Sequence, residues 1–183
     1  MANFVLIHST GGNPEEVFYP WLRKQLEKKG HKVYAPLFPT PVGQTLENWM
    51  REFEPYWRHV DENSVLIGRS IGAPFVLRVL ERSRAKVKAA FLIAGFCSGL
   101  EIKEFTPLIS TFIGKPFDWD KIRDSCGRFF VYNSDNDRFV PLQKGRELAR
   151  NLHTRVRLVK GVDHFFMEQF MQLLKDIEEL GFR

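Results

Sequence analysis

The run Ser64-Val65-Leu66-Ile67-Gly68-Arg69-Ser70-Ile71-Gly72-Ala73-Pro74 constrains this chain more than any other stretch. Its first half reads as a short buried strand and its end as the opening of a helix, joined by a Gly-x-Ser-x-Gly turn. Gly68 and Gly72 have a steric task there, because a side chain at either would collide with neighbouring backbone at so tight a turn. With Gly and Ser each near 7% of residues, the spacing arises by chance on the order of 0.06 times in such a length. A strand that delivers a serine to the head of a helix in this way exposes its hydroxyl above a parallel sheet. The alternative role for Ser70 is a plain helix cap. What separates the two is whether the chain also supplies a base, an orienting acid and donors for an oxyanion.

The remaining sequence alternates strand-like and helix-like segments. Apolar runs at 4–7, 31–35, 65–67, 89–94, 129–132 and 156–159 read as six strands. Between them, Phe18, Trp21, Leu22 and Leu26 share one helical face, and Gly30 is a natural stop. Residues 45–60 form a helical stretch that Pro55 bends or splits. Ile71, Phe75, Val76, Val79 and Leu80 mark the helix after Ser70, and 118–123 reads as a short helix. Leu142, Leu148, Ala149 and Leu152 mark another, and Met167, Phe170, Met171, Leu174 and Ile177 a final one. Pro36, Pro39, Pro41 and Gly43 make a rigid loop. Residues 96–117 show no clean period, and their apolar content suits a flap better than a solvent loop. The expectation is one α/β domain over 1–183: a three-layer αβα arrangement on a six-stranded parallel sheet with right-handed crossovers.

Composition narrows the partners. The chain has 183 residues, 44% hydrophobic and 27% charged, which suits a globular domain with a sizeable core. The formal charge of +5 comes from basic residues interleaved with acids, as over 23–29, so it reads as solvated surface and not a nucleic-acid face. Cys97 and Cys126 have neither metal-ligand spacing nor the density of a disulfide framework. No His-Glu-x-x-His, Gly-x-Gly-x-x-Gly or Gly-x-x-x-x-Gly-Lys motif is present, so no metal or other cofactor is expected. The first residues hold a four-residue apolar run and no basic leader, too short for a signal peptide or a membrane span. The expected location is cytoplasmic.

In a doubly wound sheet, ligands bind beyond the carboxyl ends of the strands. Four of the six strand ends carry chemistry: His8-Ser9-Thr10-Gly11-Gly12, Ser70, the stretch Asn133 to Pro141 with Asp135 and Asp137, and Gly161-Val162-Asp163-His164. Serine is a poor nucleophile until a base takes its proton, and imidazole is suited to accept that proton and return it to a leaving group. His164 is the candidate base and Asp137 the candidate acid that holds its tautomer. Asp135 and Asp163 lie in the right loops and stay open as alternatives. The backbone N–H groups of Ile71 and Thr10 are the candidate oxyanion donors. His8 is expected to order the first loop by a hydrogen bond, with His31, His59 and His153 on the surface. Phe18, Trp49 and the aromatics of 96–117 are candidate pocket walls.

These motifs together resemble the small α/β-hydrolases typified by retinoblastoma-binding protein 9 and the bacterial YdeN-like proteins. The resemblance covers nearly the whole chain. It rests on the opening at His8, Trp49, Gly68-Arg69-Ser70-Ile71-Gly72, Pro116-Phe117-Asp118-Trp119-Asp120-Lys121-Ile122, Ser134-Asp135-Asn136-Asp137 before Phe139-Val140-Pro141, and Val162-Asp163-His164-Phe165. It implies a compact α/β-hydrolase fold, a Ser70–Asp137–His164 triad and hydrolysis of small carboxylic esters or related acyl compounds through an acyl-enzyme. The partner implied is a small-molecule acyl substrate, with no nucleic acid and no membrane. Two departures stand out: the usual His-Gly opening is His8-Ser9, and Asn136 splits the family's acidic pair. Retinoblastoma-protein ligands use Leu-x-Cys-x-Glu, and neither cysteine sits in that pattern. The competing expectation is a protein-binding or scaffold role on a vestigial site.

Overall fold

The apolar runs become six strands that all pair in parallel: β1 (Asn3–Ile7), β2 (Lys32–Tyr34), β3 (Val65–Arg69), β4 (Ala89–Ile93), β5 (Phe129–Ser134) and β6 (Val156–Val159). The computed structural model describes residues 1–182. Strand order is β2-β1-β3-β4-β5-β6, so the chain starts inside the sheet, steps to one edge and returns on the far side of β1. The order reverses between β1 and β3, where Ile7 lies opposite Gly68. Ligand sites of doubly wound sheets form at such a reversal, because the two outgoing loops diverge and leave a crevice.

Strand alternation divides the core between two faces. Phe4, Leu6, Val65, Ile67, Phe91, Ile93 and Tyr132 pack under α1 (Tyr19–Lys28) and a C-terminal helix over Met171–Glu178. Val5, Ile7, Leu66, Leu92 and Val131 pack on the opposite side. That side is covered by α2 (Leu46–Phe53), α3 (Gly72–Arg82), α4 (Thr106–Ile113), α5 (Trp119–Asp124) and α6 (Leu142–Asn151). The C-terminal helix is α7. The central strands β3 and β4 are buried at every residue, as continuous apolar runs in a parallel sheet require. Gly30, at φ +80°, ends the turn after α1. Pro55 splits its helical stretch into α2 and a 3-10 segment over Glu54–His59.

Two expectations change. The final helix starts at Met171, not Met167. Phe165 and Phe170 are both buried, their rings 5.4 Å apart, and Phe165 sits at φ +57°, which no helix accommodates. The stretch 96–117 is also less irregular than its sequence suggests, since a 3-10 turn at Lys103–Phe105 leads into α4. Eight residues are too few to display a helical period clearly, and α4 is held by partners distant in sequence. Arg78 of α3 donates to the Phe112 carbonyl at 2.8 Å and lies over the Phe117 ring at 3.8 Å. The Leu46 N–H donates to Thr111 Oγ1 at 2.9 Å.

Candidate active site

The Ser70 turn is dictated by backbone crowding. A Cβ on Gly68 would sit 2.3 Å from the Gly72 carbonyl oxygen, and one on Gly72 would sit 2.4 Å from the Ile7 carbonyl oxygen. Only glycine lets β1, the turn and α3 approach so closely. Ser70 itself takes φ +55°, a strained conformation for a residue with a side chain. Its N–H is anchored to the Ile93 carbonyl at 2.8 Å, so β4 holds the turn from the other side.

His164 and Asp137 come from two loops that are stitched together. His164 Nδ1 lies 2.8 and 3.0 Å from the two Asp137 carboxylate oxygens. A carboxylate only accepts, so Nδ1 carries the hydrogen, which in the neutral imidazole leaves Nε2 its lone pair. Asp137 Oδ1 also accepts from the N–H groups of Phe139 and Val140, both at 2.9 Å. Its side chain is fully buried, and that of His164 is 6% exposed. The other two acids of these loops have different partners. Asp135 accepts from the Gly161 N–H at 2.9 Å, and Asp163 pairs with Arg138 at 2.6 Å. Partial desolvation opposes the Asp163 charge, but the hydrogen bonds and charge of Arg138 outweigh it and hold the carboxyl below the usual range. Asn136 Oδ1 accepts from the Asp163 N–H at 2.9 Å, a third tie between the loops.

The first loop is ordered from beneath by His8. Its Nδ1 lies 2.9 Å from the Ser9 carbonyl, and its Nε2 accepts from the Phe38 N–H at 2.9 Å. Burial pushes its pKa below the usual imidazole value, so it stays neutral and serves both bonds at once. Among the described residues no protein acceptor takes the backbone N–H of Thr10 or of Ile71, and both residues line the cavity that holds Ser70 and His164.

Two residues with structural leverage escape sequence reasoning. Arg69 is 2% exposed and stands between three strand ends. Its Nε and Nη2 donate to the His164 carbonyl at 3.1 and 2.9 Å, and its Nη1 donates to Ser9 Oγ at 2.7 Å. Burial works against its charge, and Tyr19, Glu16 and Asp137 work for it. The guanidinium therefore ties the His164 loop and the first loop to the residue beside Ser70. The departure at Ser9 now has a partner, since its hydroxyl receives one of these bonds. Gln44 is the second: its Nε2 donates to Thr10 Oγ1 at 2.9 Å and to the Leu108 carbonyl of α4 at 2.8 Å. Gln44 lay in a proline-rich loop with no motif, and nothing in the sequence pointed to it.

The cavity over Ser70 measures about 180 Å³, and Phe96, Leu100, Phe105, Ile109, Phe139 and Phe166 form its apolar wall. Two expected wall residues lie elsewhere. Phe18 is fully buried against Phe170 beneath α1, and Trp49 is fully buried among Phe38, Phe75 and Phe112. Both are core aromatics, the commoner fate of large rings on helix faces. His31 and His59 are half-buried rather than surface residues: His31 meets Phe4 edge-on, and His59 stacks on Tyr34 at 4.1 Å. Cys97 and Cys126 are buried, their thiols pushed up to about 11 and about 12 chiefly by desolvation. A larger groove of about 720 Å³ runs past Trp57, Arg58, Arg82 and Arg84, away from Ser70 and His164. Among the described residues no helix is long and apolar enough to cross a membrane.

Comparison with known proteins decides the family. The serine hydrolase family model matches residues 4–179. The chain belongs to the serine hydrolase family. YdeN of Bacillus subtilis (strain 168) is 27% identical over 166 residues, covering 90% of this chain and 86% of that protein. The serine hydrolase RBBP9 of Rattus norvegicus is 26% identical over 179 residues, covering 96% of this chain and 94% of that protein. The crystal structure of the ydeN gene product from B. subtilis superposes with a TM-score of 0.91 at 25% identity, covering 98% of both chains. The fold of this serine hydrolase is thus the α/β-hydrolase fold, and the six-stranded parallel sheet is the form it takes here.

Proposed function

We propose that this serine hydrolase is a carboxylesterase-like enzyme that cleaves small acyl compounds with Ser70 as nucleophile, His164 as general base and Asp137 as its orienting acid. The observation that carries the reading is the buried Asp137–His164 pair at 2.8 Å, facing the same small cavity as a serine held at φ +55°. Ser70 Oγ attacks the substrate carbonyl while His164 Nε2 takes its proton. The imidazolium that forms is stabilised by Asp137. The same proton passes to the leaving alcohol, which departs and leaves the acyl group on Ser70. Water, deprotonated by His164, then releases the carboxylic acid and restores the serine. The oxyanion of each tetrahedral stage falls to the N–H groups of Ile71 and Thr10, which no protein acceptor engages among the described residues. Ordinary esters of uncharged acids are the substrates in a cytoplasmic setting.

The test is covalent. A fluorophosphonate probe should label the intact protein and fail to label Ser70→Ala, with activated-ester hydrolysis lost in parallel. Labelling that persists in Ser70→Ala, or intact protein that neither labels nor hydrolyses, overturns the assignment.

A further inference from the structure

The cavity beside Ser70 has two unlike ends. At one, Phe96 is 1% exposed and Ile109 is 4% exposed, with the half-buried Leu100 and Phe105 beside them. At the other, the rings of Phe139 and Phe166 stand 5.1 and 5.7 Å from His164, and Phe166 is 58% exposed. The leaving alcohol must collect its proton from His164 and depart to water, so it belongs at the exposed end. The acyl group stays bonded to Ser70 until water arrives, so it belongs at the closed end. The one charged side chain lining the cavity beyond His164 among the described residues is Arg69, which lies over the Phe166 ring at 5.0 Å, at the exposed end, with its guanidinium already bonded to the His164 carbonyl and Ser9 Oγ. A charged or hydroxyl-rich acyl group would lose its hydration with nothing apolar walls can give back.

Size follows from volume. An apolar cavity of about 150 Å³ holds one benzene, or about 25 Å³ per carbon. A cavity of about 180 Å³, both ends together, encloses about seven carbons, which is the upper limit for a group at the closed end. We infer that the closed end is an acyl site for one uncharged group of roughly four to seven carbons, a short alkanoyl chain or a benzoyl ring, and that Ile109 and Phe105 of the α4 region set its upper limit. This rests on the triad reading and adds its substrate class.

The experiment is a series of p-nitrophenyl esters from acetate to decanoate, with benzoate, run beside fluorophosphonate labelling. The leaving group is constant, so only the acyl group varies. We expect kcat/KM to peak at butanoate, hexanoate or benzoate and to fall by about 10-fold or more at decanoate, since each misfitted methylene in an apolar pocket matters at that scale. Ile109→Ala and, separately, Phe105→Ala should raise the decanoate-to-butanoate ratio several-fold. The second variant guards against misfolding of the first, because Phe105 is only half-buried. A profile flat through decanoate, or a ratio unmoved in both folded variants, overturns the acyl-site inference while labelling at Ser70 leaves the hydrolase reading standing. Absence of labelling together with absence of turnover overturns both.

Discussion

The floor and the roof of the cavity are built by different means. The floor is the Ser70 turn, the first loop and the His164 loop. Its Ser70 turn follows from backbone packing, with glycines at 68 and 72 that admit no Cβ and the Ser70 N–H bonded to Ile93, and the buried Arg69 side chain ties the two loops to that turn. The roof is the proline-rich loop and α4, hung on side-chain bonds from Gln44, Thr111 and Arg78. Backbone packing leaves little room for movement without unfolding, whereas a side-chain tie can be cut or replaced singly. A hydrolase needs reacting atoms that do not shift and a pocket that can be refitted to new substrates. The division of labour gives it both.

Three substitutions can break or sharpen that contrast. The largest effect belongs to Asp137→Asn. The amide keeps the shape but presents donors as well as acceptors, so His164 is free to turn or adopt the other tautomer. In the serine triad such a change lowers kcat by about 10⁴. Steady-state kinetics on a butanoate ester should show a fall of at least about 10³ in kcat, with KM changed little. A loss below about 10-fold would assign the acid's role elsewhere, to Asp135 or Asp163, and would make this part of the floor as replaceable as the roof.

Next is Arg69→Met, which keeps the apolar stem and removes the donors to the His164 carbonyl and Ser9 Oγ. The reacting residues stay in place chemically but lose their common clamp. Displacements near 1 Å cost on the order of 10²-fold, so kcat should fall by about 10- to 100-fold while KM for the same ester holds within a few-fold. A kcat that holds while KM rises would mean that Arg69 shapes the pocket and does not align the floor. Arg69→Lys should recover only part of the loss, because an ammonium cannot span two acceptors as a planar fork does.

How much of this was legible follows the same line. The parallel sheet could be read because buried strands are continuous apolar runs, and the turn could be read because glycine spacing records a steric demand. The loops bearing Asp137 and His164 could be found because the fold sends every strand's carboxyl end to one crevice. Asp137 is favoured over Asp135 and Asp163 by its place just before Phe139-Val140-Pro141, while which carboxylate reaches the imidazole also depends on turns closed by Gly161, Asn136 and Arg138. That Phe18 and Trp49 lie in the core is hidden from the sequence for a related reason: periodicity tells which side of a helix is apolar, not whether that side meets core or cavity. Arg69 looked like motif filler, and Gln44 like loop. Each acts through partners 34 to 95 residues away, a separation that no local pattern encodes.

Gln44 supplies the smallest and most discriminating change. It is 3% exposed and joins roof to floor: Nε2 donates to Thr10 Oγ1 and to the Leu108 carbonyl, while Oε1 accepts from Thr40 Oγ1 at 2.6 Å. Gln44→Leu fills nearly the same volume and leaves the Thr40 hydroxyl and the Leu108 carbonyl without this partner. An unmet buried polar group costs about 1–3 kcal/mol, which for a chain of this size lowers Tm by about 2–12 °C. If roof and floor are separately built, α4 loosens and KM for a butanoate ester rises about 3- to 10-fold while kcat changes less than 3-fold, because Thr10 keeps its backbone N–H. If instead kcat falls in step with the rise in KM, the Thr10 loop depends on the roof for its position. The contrast between a Ser70 turn set by backbone and a roof hung on side chains would then end at Thr10, and the proposed oxyanion donor there would belong to the adjustable half of the site.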